Sequence, residues 1–384
     1  LNIAANSSAK LTVTLSGTLP AAGSYSGNIV LTGSGLTLKA PYLFLVGSGV
    51  AANIIPLANS YFEGPVGGNI YGGIVAFRLV DANGGPVAGA PVSFTPSIGV
   101  TLQAASTVTD SYGIAYAVPI LPPFPLTCSI TAAVGRMTTT FTGTALRPPT
   151  IATGGVLNGA SFQASDPIAP GSYISIFGTA LARSTNYPTT AILPMVQDYL
   201  MVSFDVPAAG ISVPGRLTYI SPTQVNLQVP WELQGQTEAR VKVIYDYVNG
   251  GVVTIPLNDY SPAFFEIGSG AVAALDADYR VVSTSNPTSS GKVVMLYANG
   301  LGPVTNQPAS GEPAPFSPLA ETITKPVVTI GGKDAAVVWS GLAPGFAGLY
   351  QINVIIPSGV SSGNQPMTVS TGGRTSKTSY IAVQ

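Results

Sequence analysis

Short runs of alternating apolar and polar residues, interrupted by glycine and proline, constrain the fold of this chain more than any other feature. The 384 residues include 44 Gly and 33 Pro, and Val, Ile, Thr and Tyr recur in the runs between them. Alternation over short runs bounded by turn residues is typical of β-strands. We find no amphipathic helical window. We therefore expect an all-β chain of tandem β-sandwiches, three or four of them at about 100 residues each.

The missing residue types limit the chemistry. The chain contains no His and one Cys, and only 8% of its residues are charged. Because His is the usual proton-transfer group near neutral pH, Ser-His-Asp catalysis, Cys-His catalysis and His-ligated metals are excluded. We interpret Cys128 as an inert thiol buried in a strand. We expect no enzyme activity and no catalytic, cofactor-binding or metal-binding residue.

The sparse charge also limits the partners. Lys and Arg total 15 and Asp and Glu total 16, without clusters, so we expect no nucleic-acid partner. The apolar region at residues 40–58 is broken by Gly, Ser, Asn and Pro, so we expect no membrane insertion. A net charge near zero favours self-association. The chain begins without Met or a signal-peptide pattern, so we expect it to be part of a longer exported precursor, at the cell surface or outside the cell.

Residues 1–49 have the pattern of half a sandwich. Residues 10–15 alternate as a first strand, residues 20–27 are interpreted as a turn that leads into residues 28–31, and residues 36–46 supply a third strand. Three strands leave an apolar face and two edges bare. Strands from a neighbouring copy or the adjoining module would have to cover them, and we favour the neighbouring copy.

Residues 50–147 contain hairpin turns with a recognisable pattern. The pattern lies in two stretches, FRLVDANGGPVAGAPVSF at 77–94 and TDSYGIA at 109–115. Asp81 and Asn83 are suited to cap the first turn, and Gly84 and Gly85 to adopt positive φ. The stretches resemble the bacterial Ig-like group 1 domain of invasin- and intimin-type adhesins. The resemblance implies an immunoglobulin-like sandwich of the seven-stranded type, in a stalk or adhesin.

Residues 148–384 contain an internal repeat. GSYISIFGTAL at 171–181 aligns with GKVVMLYANGL at 291–301, and QVNLQVP at 224–230 aligns with QINVIIP at 351–357. Order and spacing are preserved, so we expect a duplicated domain with one copy at residues 148–267 and the other at 268–384. We expect Gly171 to be equivalent to Gly291, and Gln224 to Gln351.

The same region resembles a known family. The matching stretches are PIAPGSYISIFG at 167–178, YISPTQVNLQVPWE at 219–232, GLGPV at 300–304 and GLAPGFAGLYQINV at 341–354. They are similar to an acidobacterial (Solibacter-type) C-terminal domain family, and each half resembles an IPT/TIG immunoglobulin-like sandwich. The resemblance implies a place at the C-terminal end of a large secreted protein, and it implies no activity.

Several residues could form sites, and each has a plainer interpretation. Asp276 and Asp278 could begin a calcium site, but an exposed hairpin turn is favoured because no third acid follows. Glu312 is a loop carboxylate without a partner acid. Asn299–Gly302 is Gly-rich, but without a βαβ context it is interpreted as the turn that ends a strand.

Aromatic and basic residues also have a functional interpretation and a plainer one. Trp231 and Trp339 could form a sugar-binding platform, but we favour core packing at equivalent edges of the two repeats. Lys242 could form an isopeptide bond, although a solvent-facing role is favoured. Asn6 begins a glycosylation sequon, which carries little meaning in a chain that resembles bacterial proteins.

Three functions fit these observations. The leading hypothesis is an extracellular structural protein, the subunit of a self-assembling filament or sheath linked head to tail with strand sharing between copies. The second is a stalk or adhesin region that binds glycans or surfaces. The third is a set of non-catalytic C-terminal domains cleaved from a secreted hydrolase.

Overall fold

The computed structural model describes residues 7–33, 35–268 and 270–384. The chain divides into two compact units, one up to Arg147 and one from Pro148 onward. Strands dominate both units, and the helices of the described residues are two short 3-10 turns, Pro207–Ala209 and Trp231–Leu233. No helix in these three ranges is long and apolar enough to cross a membrane. The predicted all-β fold class of tandem immunoglobulin-like sandwiches is confirmed.

The first unit consists of one isolated hairpin followed by one sandwich. Its strands are β1 (Gly23–Gly33), β2 (Leu36–Val46), β3 (Ala51–Ala58), β4 (Tyr61–Pro65), β5 (Val75–Asp81), β6 (Ser93–Pro96), β7 (Thr101–Ala105), β8 (Ile114–Ile120), β9 (Leu126–Val134) and β10 (Met137–Leu146). Within the part of the chain that the structure describes, strands β1 and β2 pair only with each other. The other eight form two four-stranded sheets, ordered β3-β5-β8-β7 and β4-β10-β9-β6.

The sandwich core of the first unit follows from alternation along its strands. In β9 the inward residues alternate with partly exposed ones, as the pleat of a strand requires. Phe77 and Phe141 are completely buried between the sheets. Cys128 lies in the same core, and burial raises the pKa of its thiol. The predicted burial of Cys128 is therefore confirmed.

The structure corrects the prediction for residues 1–49. The expected strand at residues 10–15 has no pairing partner in the described ranges, and the expected turn at 20–27 is already part of β1 from Gly23 onward. The reason is that a strand needs a neighbouring edge for its hydrogen bonds, and alternation alone cannot supply one. Among the described residues, the partial sandwich is therefore a two-stranded hairpin.

The second unit contains eighteen strands, β11–β28. Their bounds are β11 (Thr150–Asn158), β12 (Tyr173–Thr179), β13 (Leu200–Val206), β14 (Ile211–Pro214), β15 (Arg216–Ile220), β16 (Gln224–Gln228), β17 (Glu238–Tyr245), β18 (Val248–Asn249), β19 (Val253–Pro256), β20 (Ala263–Phe264), β21 (Ala274–Leu275), β22 (Val293–Asn299), β23 (Val327–Ile330), β24 (Lys333–Leu342), β25 (Tyr350–Ile355), β26 (Gly363–Thr371), β27 (Arg374–Thr375) and β28 (Ser379–Val383).

These strands build two sandwiches. In the first, the sheet β11-β12-β16-β15 faces a sheet of β13, β14 and β17–β19. In the second, β20–β22, β24 and β25 pack against β23 and β26–β28, and β24 pairs with both groups of strands.

The strand register of the two sandwiches is the same. Phe177 lies opposite Gln224 between β12 and β16, and Tyr297 lies opposite Gln351 between β22 and β25. A bulge interrupts β15 before Tyr219, and an equivalent bulge interrupts β24 before Trp339. The register expected from the internal repeat is therefore present in these strands, with Gln224 equivalent to Gln351.

Candidate functional site

The β1–β2 hairpin has one apolar and one mixed face. Antiparallel partners share a face, and the register pairs Tyr25 with Phe44 and Leu31 with Leu38. The side that holds these pairs is called the apolar face, and it consists of Tyr25, Ile29, Leu31, Leu36, Leu38, Ala40, Tyr42, Phe44 and Val46 with Gly23, Gly27 and Gly33. The opposite side is called the mixed face, and it consists of Ser24, Ser26, Asn28, Val30, Thr32, Thr37, Lys39, Pro41, Leu43 and Leu45.

The aromatic residues of the apolar face are packed against one another. The rings of Tyr25 and Phe44 stack with centroids 5.0 Å apart, and Tyr42 stacks on Phe44 at 6.4 Å. Tyr42 lies over Gly27, where an added Cβ would come within 2.5 Å of the tyrosine hydroxyl. Glycine at position 27 is therefore needed to seat this ring, and the face is pre-ordered.

The far half of the apolar face is open. Leu31, Leu36 and Leu38 are 44%, 60% and 54% exposed, whereas the inward residues of the sandwiches are nearly all below 10%. Such a continuous exposed apolar face marks an interaction surface in a folded protein.

The segment before the hairpin has a matching pattern. Leu11, Val13 and Leu15 alternate with Lys and Thr and are 50%, 61% and 64% exposed. The segment forms no strand pairing among the described residues. It therefore has the alternation of a strand, but its backbone has no partner.

Asp81 holds the end of the hairpin to the following sandwich. Its carboxylate accepts hydrogen bonds from the backbone N–H and hydroxyl of Ser48, and from the N–H groups of Asn83 and Gly85. Burial raises the pKa of Asp81, but the hydrogen bonds outweigh it and hold the pKa below its ordinary value. The predicted capping by Asp81 is confirmed.

The two glycines of that turn have different roles. Gly84 adopts a positive φ of 82°, as predicted. Gly85 does not, and the prediction for it was wrong. A Cβ on Gly85 would lie 2.9 Å from the Cα of Gly47. Glycine is needed there because two backbone segments pass close together.

The acidic candidates are engaged in turns or exposed. The Oδ1 atom of Asp276 accepts hydrogen bonds from the backbone N–H groups of Asp278 and Arg280. The Arg280 side chain pairs with both carboxylates. Glu312 is exposed. No group of three His, Cys, Asp or Glu side chains able to hold a metal occurs in residues 7–33, 35–268 and 270–384.

Trp231 and Trp339 do not occupy equivalent positions, so that part of the prediction was wrong. Trp231 follows β16 in the first sandwich but packs into the core of the second. Trp339 lies on β24 opposite Asn353, which makes Tyr219 its equivalent. Core packing is confirmed for Trp231 alone, because Trp339 is half-buried on a sheet face.

The remaining candidates have local roles. Lys242 pairs with Asp205 at 3.8 Å. Strand β22 ends at Asn299, and Gly300 has a φ of 65°, so the turn predicted there is confirmed. Asn6 of the sequon lies outside the described residues.

A buried polar junction joins the two sandwiches of the second unit. Asn299 accepts a hydrogen bond from the backbone N–H of Tyr173 and donates to Asn158 and to the carbonyl of Tyr173, all within 2.8–2.9 Å. Asn158 in turn donates to Ser261. Both asparagines are almost completely buried with their hydrogen bonds satisfied. The members of this junction lie far apart along the chain, so the sequence alone does not predict it.

A second feature missed from the sequence is a duplicated amide pair on the outer sheet faces. The Nε2 atom of Gln224 donates to Oδ1 of Asn226 at 2.7 Å, and Gln351 donates likewise to Asn353 at 2.8 Å. The signal was present in the sequence, because QVN and QIN place two amides two residues apart and hence on one face of a strand.

Aromatic rings flank each amide pair. Phe177 and Tyr219 lie opposite the two amides of the first pair, and Tyr297 and Trp339 lie opposite those of the second. These two groups of four residues are called the amide–aromatic arrays. All eight side chains are half-buried.

A scan against protein-family models gives no match to this chain, and a search of curated proteins gives none. Solved structures give weak similarities. The Escherichia coli adhesin FdeC aligns over 87% of this chain and 99% of its own, with 14% identity and a TM-score of 0.23. An intimin fragment in complex with the translocated intimin receptor aligns over 63% and 76%, with 14% identity and a TM-score of 0.32.

A third similarity is to SGBP-B of Bacteroides ovatus, in complex with a mixed-linkage heptasaccharide. It covers 87% of this chain and 70% of that one, with 12% identity and a TM-score of 0.27. Similarity at this level carries no argument, so the architecture of this chain is established by its own strands and cores.

Proposed function

We propose that this chain is a non-catalytic structural protein of the cell exterior that joins copies of itself through its N-terminal hairpin. The single observation that carries the proposal is the apolar face of the hairpin, exposed beside an unpaired segment of strand-like pattern. The low charge of the chain supports the same function, since it provides little repulsion between copies.

The apolar face is too small to hold two copies together by face-to-face packing alone. Two strands of 11 residues span roughly 36 Å by 10 Å, or about 350 Å². Two such faces packed together would bury about 700 Å², well below the 1,200 Å² of a stable interface. A contact that also contributes backbone hydrogen bonds is therefore required.

Residues 10–15 of a neighbouring copy meet this requirement. Added to an edge of the hairpin as a third strand, they would place Leu11, Val13 and Leu15 on the apolar side, beside the exposed leucines of the hairpin, and direct Lys and Thr to the opposite side. The donated strand would satisfy open backbone groups on the edge as well as extend the apolar surface. Each copy carries both a donor segment and an acceptor hairpin, so transfer to the next copy propagates into a filament.

The test is a pair of double substitutions on opposite faces of the same hairpin. Leu31→Ser with Leu38→Ser removes two residues of the apolar face, each contributing about 1.5–3 kcal/mol when fully buried. We expect this variant to remain monomeric in sedimentation velocity at concentrations where the wild type forms a ladder of larger species. Association should weaken by at least about 100-fold.

The matched control is Leu43→Ser with Leu45→Ser, which changes exposed leucines on the mixed face. This control should assemble as the wild type does. A synthetic peptide of residues 7–19 should shorten wild-type assemblies by occupying the acceptor hairpin. A wild-type chain that is monomeric at all concentrations, that stops at a closed dimer, or that assembles equally well with either pair of substitutions would contradict the proposal.

A further inference from the structure

We propose that the amide–aromatic arrays of the second unit bind neutral polysaccharide. This inference is independent of the hairpin, because the arrays lie on β12, β15 and β16 in one sandwich and on β22, β24 and β25 in the other.

The free atoms of each amide pair suit sugar hydroxyls. The hydrogen bond from glutamine to asparagine fixes both side chains. It leaves Oε1 of the glutamine and Nδ2 of the asparagine without a hydrogen-bond partner in the described part of the chain. One is an acceptor and the other a donor, so neighbouring hydroxyls of one sugar could donate to the first and accept from the second.

The flanking rings supply the apolar part of such a site. A pyranose ring has apolar C–H faces between its hydroxyls, and aromatic rings combine apolar surface with a fixed geometry. In each array one ring lies opposite the glutamine and the other opposite the asparagine. Hydrophobic and aromatic surface with a few well-placed polar groups is the usual composition of a ligand site.

The ligand should be uncharged. Neither array contains a charged residue, and a groove of about 410 Å³ that reaches Asn226 of one array and Tyr297 of the other is lined by uncharged residues only. The remaining lining residues are Gly159, Tyr173, Ile174, Ser175, Thr218, Phe265, Ala273 and Leu349. A phosphate, sulfate or carboxylate group would lose its hydration here without gaining a cation.

The duplicated arrays favour a polysaccharide over a single sugar as the ligand. The two arrays match in residue types, register and internal hydrogen bond, and both lie within one compact unit. A polymer with repeating sugars can contact both arrays, and linked contacts strengthen each other.

The experiment is affinity electrophoresis of the full chain in native gels containing dextran, starch, xyloglucan or mixed-linkage β-glucan, with polygalacturonate and heparin as charged contrasts. At least one neutral polysaccharide should retard the wild type. Asn226→Ala and Asn353→Ala should each weaken that binding by about tenfold, and together by more than either alone. Asn364→Ala, at an exposed position of strand β26, is the matched control and should bind as the wild type does.

A second measurement separates binding from folding. Trp339 belongs to an array and Trp231 is buried in a core, so a Trp231→Phe variant should still change its fluorescence when the retained polysaccharide is added. The Leu31→Ser/Leu38→Ser chain should bind polysaccharide normally. The inference is overturned if no neutral polysaccharide retards the chain, if the charged polymers are retained better, or if folded Asn226→Ala/Asn353→Ala protein binds as tightly as the wild type.

Discussion

Asn299→Ala should destabilise the second unit by about 2–4 kcal/mol. The side chain is completely buried and makes three hydrogen bonds across the junction between the sandwiches. Alanine would leave the backbone N–H of Tyr173 without its acceptor, and would remove the link to Asn158. The penalty of an unsatisfied buried donor adds to the loss of the other bonds.

Urea unfolding followed by tryptophan fluorescence measures this effect, because both Trp residues lie in the second unit. Asn364→Ala is again the control, since an exposed position away from special features changes stability by no more than about 0.5 kcal/mol. If Asn299→Ala lowers the free energy of unfolding by less than about 1 kcal/mol, the junction does not depend on this side chain.

Trp231→Ala should lower the free energy of unfolding by about 3–5 kcal/mol. It should also make the two sandwiches unfold in separate transitions. The indole ring is carried by the first sandwich but belongs to the core of the second, so the first sandwich completes the core of the second. Gly171 shows how close the packing is, since a Cβ there would lie 2.1 Å from the ring. Without the ring, the backbone N–H of residue 231 can still bond to Ser310, but the shared core is lost.

The variant keeps Trp339, whose fluorescence reports on the second sandwich, while far-ultraviolet circular dichroism reports on all strands. We expect the two signals to follow separate denaturant midpoints in Trp231→Ala and a common midpoint for the second unit in the wild type. Trp339→Phe serves as the control for loss of an indole. Coincident transitions in Trp231→Ala, at wild-type stability, would contradict the shared core.

The sequence was most informative where local pattern and pairing coincide. Residues 171–181 and 291–301 predicted two strands at equivalent positions, because their alternation sets which side chains face inward and their glycines set where each strand begins. The matching register of Gln224 and Gln351 follows from the same constraint. A strand shifted by one residue would turn every apolar side chain outward.

The failures concern partners that alternation cannot identify. Residues 10–15 have a strand-like pattern, yet no edge is available to them among the described residues. The sequence predicts core packing for Trp231, and this is correct. The core that it joins, however, belongs to the other sandwich. The junction around Asn299 and the amide pairs required knowing which distant residues meet, and a single sequence does not contain that information.

The parallel pairing of β4 with β10 has a mechanical consequence. Tyr61 lies opposite Thr142 and Pro65 opposite Leu146, so the strand near the start of this sandwich runs beside the strand that leaves it, in the same direction. Tension applied between Tyr61 and Leu146 would draw these strands in opposite directions along a common axis. The hydrogen bonds between β4 and β10 would then be loaded in shear. They would share the force and break together instead of opening one after another. Stretching single molecules should register one sharp rupture for this sandwich, and a gradual extension would contradict the geometry. A chain built this way can remain folded while it is pulled, as tethering between surfaces requires.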